Sequence, residues 1–302
     1  MGSFSTWISA MRLRTLPLSI AGIIIAGCLA YSNGVFKWDI FILAILTTLS
    51  FQILSNLAND YGDGVKGTDN EDRIGPVRAI QSGKISPKAL HNGIKLNILI
   101  SIIFALLLIY SAFGVKHFLL GLFFLVLAAG SVVAAIRYTV GNSAYGYKGL
   151  GDIFVFVFFG LVSVIGGYVL FAKQIDFITI LPAITIGFLS TGVLNLNNMR
   201  DRLSDTKANK ITLAVKLGEK NVKRYHNFLI LGAIVLSGLF GIIYFTSPYN
   251  VMFMISYVPL LLHLKRVNAN KEPKLLDPEL KKLALTTVLL AILLGIGHVL
   301  PF

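Results

Sequence analysis

A chain of 302 residues that is 55% hydrophobic and 14% charged is too apolar for an ordinary soluble domain, in which about a quarter of the residues carry charge. Its mean hydropathy of +0.77 indicates a polytopic membrane protein, and its net charge of +13 is not a nucleic-acid footprint, because the basic residues sit between long apolar runs where they meet anionic headgroups. The single Cys28 rules out an intrachain disulfide framework, and with the scattered His91, His117, His226, His263 and His298 it argues against structural zinc.

The N-terminal segment, residues 1–15, mixes Trp7, Ile8, Met11 and Leu13 with Arg12 and Arg14. It reads as an interfacial amphipathic segment rather than a cleavable signal peptide. A membrane-spanning helix needs about 20 apolar residues. On that measure the sequence predicts nine transmembrane helices, near 16–33, 39–57, 95–114, 116–136, 152–172, 177–196, 226–246, 249–264 and 283–301. Asn33-Gly34, Gly114, Gly141-Asn142 and Ser247-Pro248 punctuate them, and no period-two alternation suggests a barrel. With the N-terminus in the cytoplasm, all of the 27 Lys and Arg except Lys37, Lys116 and Lys173 fall on the cytoplasmic side. The expectation is a single all-α domain over 1–302, with cytoplasmic loops at 58–94 and 197–225. A four-helix offset between those loops hints at duplication of helices one to four in five to eight.

Half of the 14 carboxylates lie in two short segments that begin at cytoplasmic helix ends. The first runs from Asn56 through Asn59, Asp60, Asp63, Lys66 and Asp69 to Arg73. The second runs from Asn195 through Asn197, Arg200 and Asp201 to Asp205. Asn59 and Asp63 are four apart, as are Asn197, Asp201 and Asp205, so each set shares a helical face. Two such faces on one cavity supply oxygen ligands for a hard divalent cation such as Mg2+, usually shared with phosphate oxygens. Lys66, Arg73, Arg78, Arg200 and Lys210 stand near both clusters and suit the remaining diphosphate charge. Solvated loop charges are the plainer alternative, but two clusters at equivalent helix ends, with Asn and Asp continuing into apolar helix, favour function.

These motifs resemble the paired aspartate motifs of the intramembrane aromatic prenyltransferase superfamily. The run from Asn56 to Pro76, Tyr138-Thr-Val-Gly-Asn142, Tyr145 to Asp152, Asn197 to Asp201 and Thr212 to Gly218 are similar to its menaquinone-pathway branch. That branch acts on 1,4-dihydroxy-2-naphthoate. The superfamily's general first motif has a third aspartate where this chain has Gly67; the branch places one two residues later, here Asp69.

The resemblance implies nine helices around a central apolar cavity in the cell inner membrane, with the N-terminus and active site facing the cytoplasm. It implies polyprenyl diphosphate and dihydroxynaphthoate as substrates, with loss of the naphthoate carboxylate and release of diphosphate. Asn59, Asp60, Asp63, Asp201 and Asp205 are then the catalytic set. Asn59, Asp63, Asp69, Asn197, Asp201 and Asp205 are the metal ligands. Tyr138, Asn142 and Tyr145, in a loop that also holds Tyr147, are candidates for acceptor binding, against the alternative of an interfacial tyrosine belt. Asp152 begins the fifth helix, where it suits a capping role. A sibling enzyme acting on 4-hydroxybenzoate or another phenol, or a secondary transporter, are the rival readings.

Overall fold

A computed structural model describes residues 3–69 and 74–300, and the described residues contain helices and no strands. Helix α1 (Phe4–Met11) starts where the Ser3 hydroxyl accepts the Thr6 N–H, and it ends at Arg12 in the left-handed conformation, φ 51°. A 54° bend leads into α2 (Leu16–Ser32), whose first turn tolerates Pro17 because that position needs no intrahelical N–H bond. There follow α3 (Trp38–Val65), α4 (Pro87–Phe113) and α5 (Phe118–Arg137). The next crossing, Gly151–Ala172, comprises α6 (Gly151–Val155), an eleven-residue π-helical stretch (Phe156–Gly166) and α7 (Gly167–Ala172). The chain ends with α8 (Ile180–Lys207), α9 (Leu213–Ile243), α10 (Tyr257–Ala269) and α11 (Asp277–Val299).

Among the described residues seven helices are long and apolar enough to cross a membrane, or eight if α1 and α2 form one bent span, which makes this a multi-pass membrane protein. The expected count of nine is not reproduced. The stretch expected at 249–264 is divided into a 3-10 helix (Pro248–Ser256) and the 13-residue α10, which carries Lys265 and Arg266. At about 1.5–2.0 Å per residue neither piece alone reaches across a hydrocarbon core of about 30 Å.

Both motif segments remain helical further than the expected loop boundaries. α3 continues through Asn59 and Asp63 to Val65, and α8 through Asn197, Asp201 and Asp205 to Lys207. Buried Leu54, Leu57 and Ala58 keep α3 packed to its last turns. The motif side chains are therefore set by helix geometry rather than by loop conformation.

Helix α11 packs against α2 and α8, and the π-helical stretch packs against α8. Close approach there depends on glycine: a Cβ at Gly160 would lie 2.6 Å from the Ala183 carbonyl oxygen and 2.7 Å from the Gly187 Cα. A buried polar chain joins the C-terminal helices. Asn195 Nδ2 lies 3.4 Å from His226 Nδ1, His226 Nε2 lies 2.9 Å from His263 Nε2, and His263 Nδ1 lies 2.8 Å from Glu279 Oε2.

Candidate active site

A cavity of about 530 Å³ runs inward from the C-terminal ends of α3 and α8. Its deeper walls are apolar and include Ile23, Leu108, Phe124, Phe158 and Leu170. Its mouth is polar. Asn59, Asp63, Asp69 and Arg78 line it from the first motif, and Asn197, Arg200, Asp201 and Asp205 from the second, with Lys210 alongside. Helical spacing thus puts both acidic faces on one space.

Asp63 lies at the centre of the first face. Its Oδ1 accepts the Tyr147 hydroxyl at 2.7 Å, and its Oδ2 accepts Lys210 Nζ at 3.2 Å. Lys210 Nζ also lies 3.9 Å from Asp205 Oδ1, so one ammonium stands between the carboxylates of the two motifs. Burial alone would lower the Lys210 pKa, but the Asp63 and Asp205 carboxylates outweigh it and raise it, which keeps the charge. Asp69 is buried, lines the cavity and lies 3.9 Å from Arg78 Nε, so the late aspartate of the first motif does reach the site.

Several residues sit differently from expectation. Asp60, 2% exposed, does not line the cavity; it pairs with Arg12 and, at 3.0 Å, with Arg78 Nη1. It anchors two guanidiniums that do line the cavity. Arg200, expected on the diphosphate, has its fork taken up by protein. Nε donates to Asp201 Oδ1 at 2.8 Å, Nη2 to Asp201 Oδ2 at 2.7 Å and to Asn197 at 2.8 Å, and Nη1 to Asp277. It grips both oxygens of Asp201 and also lines the cavity. Lys66 is exposed and stands 4.1 Å from the Tyr147 ring centroid rather than on the cavity wall. Arg73 lies outside the described residues.

Of the three acceptor candidates, Tyr138 and Tyr145 line the cavity, with ring centroids 5.3 Å apart edge to face. Tyr145 stacks on Phe154 at 3.9 Å and donates its hydroxyl to the Ala134 carbonyl at 2.9 Å, so it offers a ring face only. Burial raises the Tyr138 phenol pKa, reinforced by the Asp152, Asp63 and Asp205 carboxylates; it is a neutral hydrogen-bond donor. Asn142 is exposed and does not line the cavity, because the turn at Gly141 (φ 85°) carries it outward. Asp152 is buried in the first turn of α6.

Sequence reasoning missed four residues. In the sequence Arg12 reads as part of an interfacial segment and as a topology signal, and Tyr147 as one more tyrosine of its loop. Asp277 and Lys281, at the start of α11, lie far from either motif in the chain yet line the same mouth. Only tertiary packing joins them to it.

Gly62 sets how closely α3 approaches the turn that follows α5. A Cβ there would lie 2.4 Å from the Thr139 Oγ1 and 2.8 Å from its carbonyl carbon. Gly62→Ala is expected to cost about 1–3 kcal/mol from overpacking. Thermal melting checks it.

Among the described residues no three His, Cys, Asp or Glu side chains stand close enough to hold a metal by themselves. The donor set nonetheless fits a hard divalent ion: the acidic and amide groups at the mouth are all oxygen donors, with no imidazole or thiolate. The position of the Lys210 ammonium between Asp63 and Asp205 marks a point where both motifs favour positive charge.

The fold and this mouth define a class of membrane enzyme, and residues 20–277 match the model of the UbiA prenyltransferase family: the chain belongs to that family. It is 40% identical over 291 residues to 1,4-dihydroxy-2-naphthoate octaprenyltransferase of Escherichia coli, covering 96% of this chain and 94% of that one. It is 42% identical over 295 residues to the protein of the same name in Haemophilus influenzae, with the same coverage. Among solved structures it resembles a UbiA homolog from Archaeoglobus fulgidus bound to DMAPP and Mg2+, with TM-score 0.64, 14% identity, and 97% and 99% of the two chains covered.

Proposed function

We propose that this enzyme transfers a polyprenyl chain from polyprenyl diphosphate to 1,4-dihydroxy-2-naphthoate, with loss of the naphthoate carboxylate, giving demethylmenaquinone and diphosphate. The observation that carries the reading is the convergence of both acidic motifs on the mouth of one apolar cavity, in a chain 40% identical to a dihydroxynaphthoate octaprenyltransferase over 96% of its length.

Asn59, Asp63, Asp69, Asn197, Asp201 and Asp205 are the residues that hold Mg2+. When bound, it neutralises the departing diphosphate. Arg12, Arg78 and Lys210 take up remaining phosphate charge. The apolar walls receive the prenyl tail and exclude water, and the faces of Phe154 and Phe158 stabilise positive charge developing on the allylic carbon. Tyr138 and Tyr145 stack against the fused acceptor ring, and the Tyr138 phenol donates to one of its oxygens. The motifs, the N-terminus and Lys210 face the cytoplasm of a cell inner membrane, a placement supported by the concentration of Lys and Arg at that end of the helices. A transporter would gather its acids near the midplane, whereas these gather at one end of the cavity.

The test is to mix purified protein with a polyprenyl diphosphate, Mg2+ and equal amounts of dihydroxynaphthoate and 4-hydroxybenzoate, and to identify products by mass spectrometry. Only the naphthoate should be prenylated; equal use of both would narrow the conclusion to aromatic prenyl transfer. Tyr138→Ala should raise the acceptor KM and leave that for the prenyl diphosphate nearly unchanged. Asn142→Ala should leave both unchanged.

A further inference from the structure

The second motif is held from two sides, and both holds end on the first turn of α11. At the mouth, Asp277 meets Arg200, which is bonded to both oxygens of Asp201. Behind α8, Glu279 ends the buried chain that runs from Asn195 through His226 and His263. Two residues apart on a helix, Asp277 and Glu279 point in directions about 160° apart, so one reaches the mouth and the other the back of the bundle.

Asn195 stands on the face of α8 turned from the cavity. Leu194, Asn197 and Asn198 line the cavity and Asn195 does not. Gly192 and Met199 share its face, at spacings of three and four. A Cβ at Gly192 would lie 3.7 Å from the His226 ring, and Asn195 Nδ2 lies 3.4 Å from both the Met199 sulfur and His226 Nδ1. At the far end Glu279 is fixed through both oxygens. Its Oε2 lies 2.8 Å from His263, and its Oε1 lies 2.6 Å from Lys282 Nζ and 3.6 Å from Arg266 Nη1. Asn195, His226, His263 and Glu279 are all buried, and none lines the cavity. Polar side chains are costly in such a bundle unless they serve a purpose. The chain they form ends on α8 two residues before Asn197.

We propose that Glu279, acting through His263 and His226, is a positioning residue for the second motif. It sets the rotation of α8 about its own axis, and so the direction in which Asn197 and Asp201 face the cavity. A rotation of about 15° moves a carboxylate carried about 6 Å from a helix axis by about 1.5 Å. That displacement breaks a Mg2+–oxygen bond of about 2.1 Å. The inference rests on the reading above, in which those two residues hold the metal.

The experiment uses the full-length enzyme in nanodiscs with geranyl S-thiolodiphosphate, an analogue that binds without turning over. Mn2+ replaces Mg2+, and its binding is read by electron paramagnetic resonance, with melting temperature read on the same samples. Glu279→Ala should weaken Mn2+ by about fivefold or more. Glu279→Gln, whose amide oxygen still meets His263, should bind within about twofold of the unsubstituted enzyme. Ser237→Ala is the comparison. It removes another buried contact between α9 and α10, Ser237 Oγ to Tyr257 Oη at 2.9 Å, whose other bonds go to α9 carbonyls. Glu279→Ala and Ser237→Ala should both lower the melting temperature, and only Glu279→Ala should weaken Mn2+. Undiminished Mn2+ affinity in Glu279→Ala overturns the proposal. Equal weakening in Ser237→Ala overturns it too, because general loosening of the bundle would then suffice. If Glu279→Ala does not accumulate, Asn195→Ala cuts the chain at its other end and is judged by the same criteria. If the unsubstituted enzyme binds no Mn2+, the metal reading itself falls, and this inference with it.

Discussion

Asp63→Ala and Asp201→Ala are each expected to lower turnover by roughly 1,000-fold or more while the protein still inserts and folds. Each removes an oxygen ligand from the mouth where the leaving diphosphate must be neutralised. Their structural consequences differ. Asp63 holds Tyr147 and Lys210, so Asp63→Ala also releases the ammonium that stands between the two motifs. Asp201 is held by Arg200 on both oxygens, so Asp201→Ala leaves the Asp277 contact as the remaining carboxylate partner of that guanidinium. Turnover measured across a Mg2+ titration checks the pair. Near-normal rates at saturating Mg2+ in either variant would remove that residue from the metal site.

Arg200→Ala should be nearly as damaging by a different route. Arg200 is 1% exposed, and its loss removes the guanidinium that holds both carboxylate oxygens of Asp201, itself 5% exposed. Removing one partner of a buried ion pair costs about 3–5 kcal/mol. The expected result is a lower melting temperature together with a loss of turnover of about 100-fold, because Asp201 is no longer aimed. Arg200→Lys should rescue little. An ammonium cannot reproduce three nitrogens spread over Asp201, Asn197 and Asp277. Recovery of full activity in Arg200→Lys would show that charge alone matters there.

Much of this arrangement was legible because the relevant signals are local. Apolar runs announce spans, and acids four apart on a helix announce a face, so Asn59 with Asp63 and Asn197 with Asp201 and Asp205 were placed correctly on one cavity. What sequence could not provide was partnership. Asp60 and Asp63 look alike in a string, yet one turns to Arg12 and Arg78 and the other to the cavity: at about 100° per residue Asp63 comes back to within about 40° of Asn59, whereas Asp60 stands about 100° from it. Arg200 read as a phosphate ligand because its acceptor Asp277 lies 77 residues away in the chain. The stretch at 249–264 passed a hydropathy test, but Pro248 opens a 3-10 helix there, and composition does not report that change in rise.

The buried chain from Asn195 to Glu279 can be read in one direction only. Glu279 also accepts from Lys282, so its carboxylate is an acceptor, and His263 Nδ1 must carry the hydrogen it receives. A neutral His263 then offers Nε2 as an acceptor, which obliges His226 Nε2 to donate and leaves His226 Nδ1 to accept from the Asn195 amide. Each of α8, α9, α10 and α11 contributes one member, so these helices share a single hydrogen-bond polarity. A proton added to His263 would set two N–H groups against each other across 2.9 Å, and one added to His226 would set its Nδ1–H against the Asn195 amide. The helix that carries Asp201 is thus braced by two imidazoles that must both stay neutral to hold it.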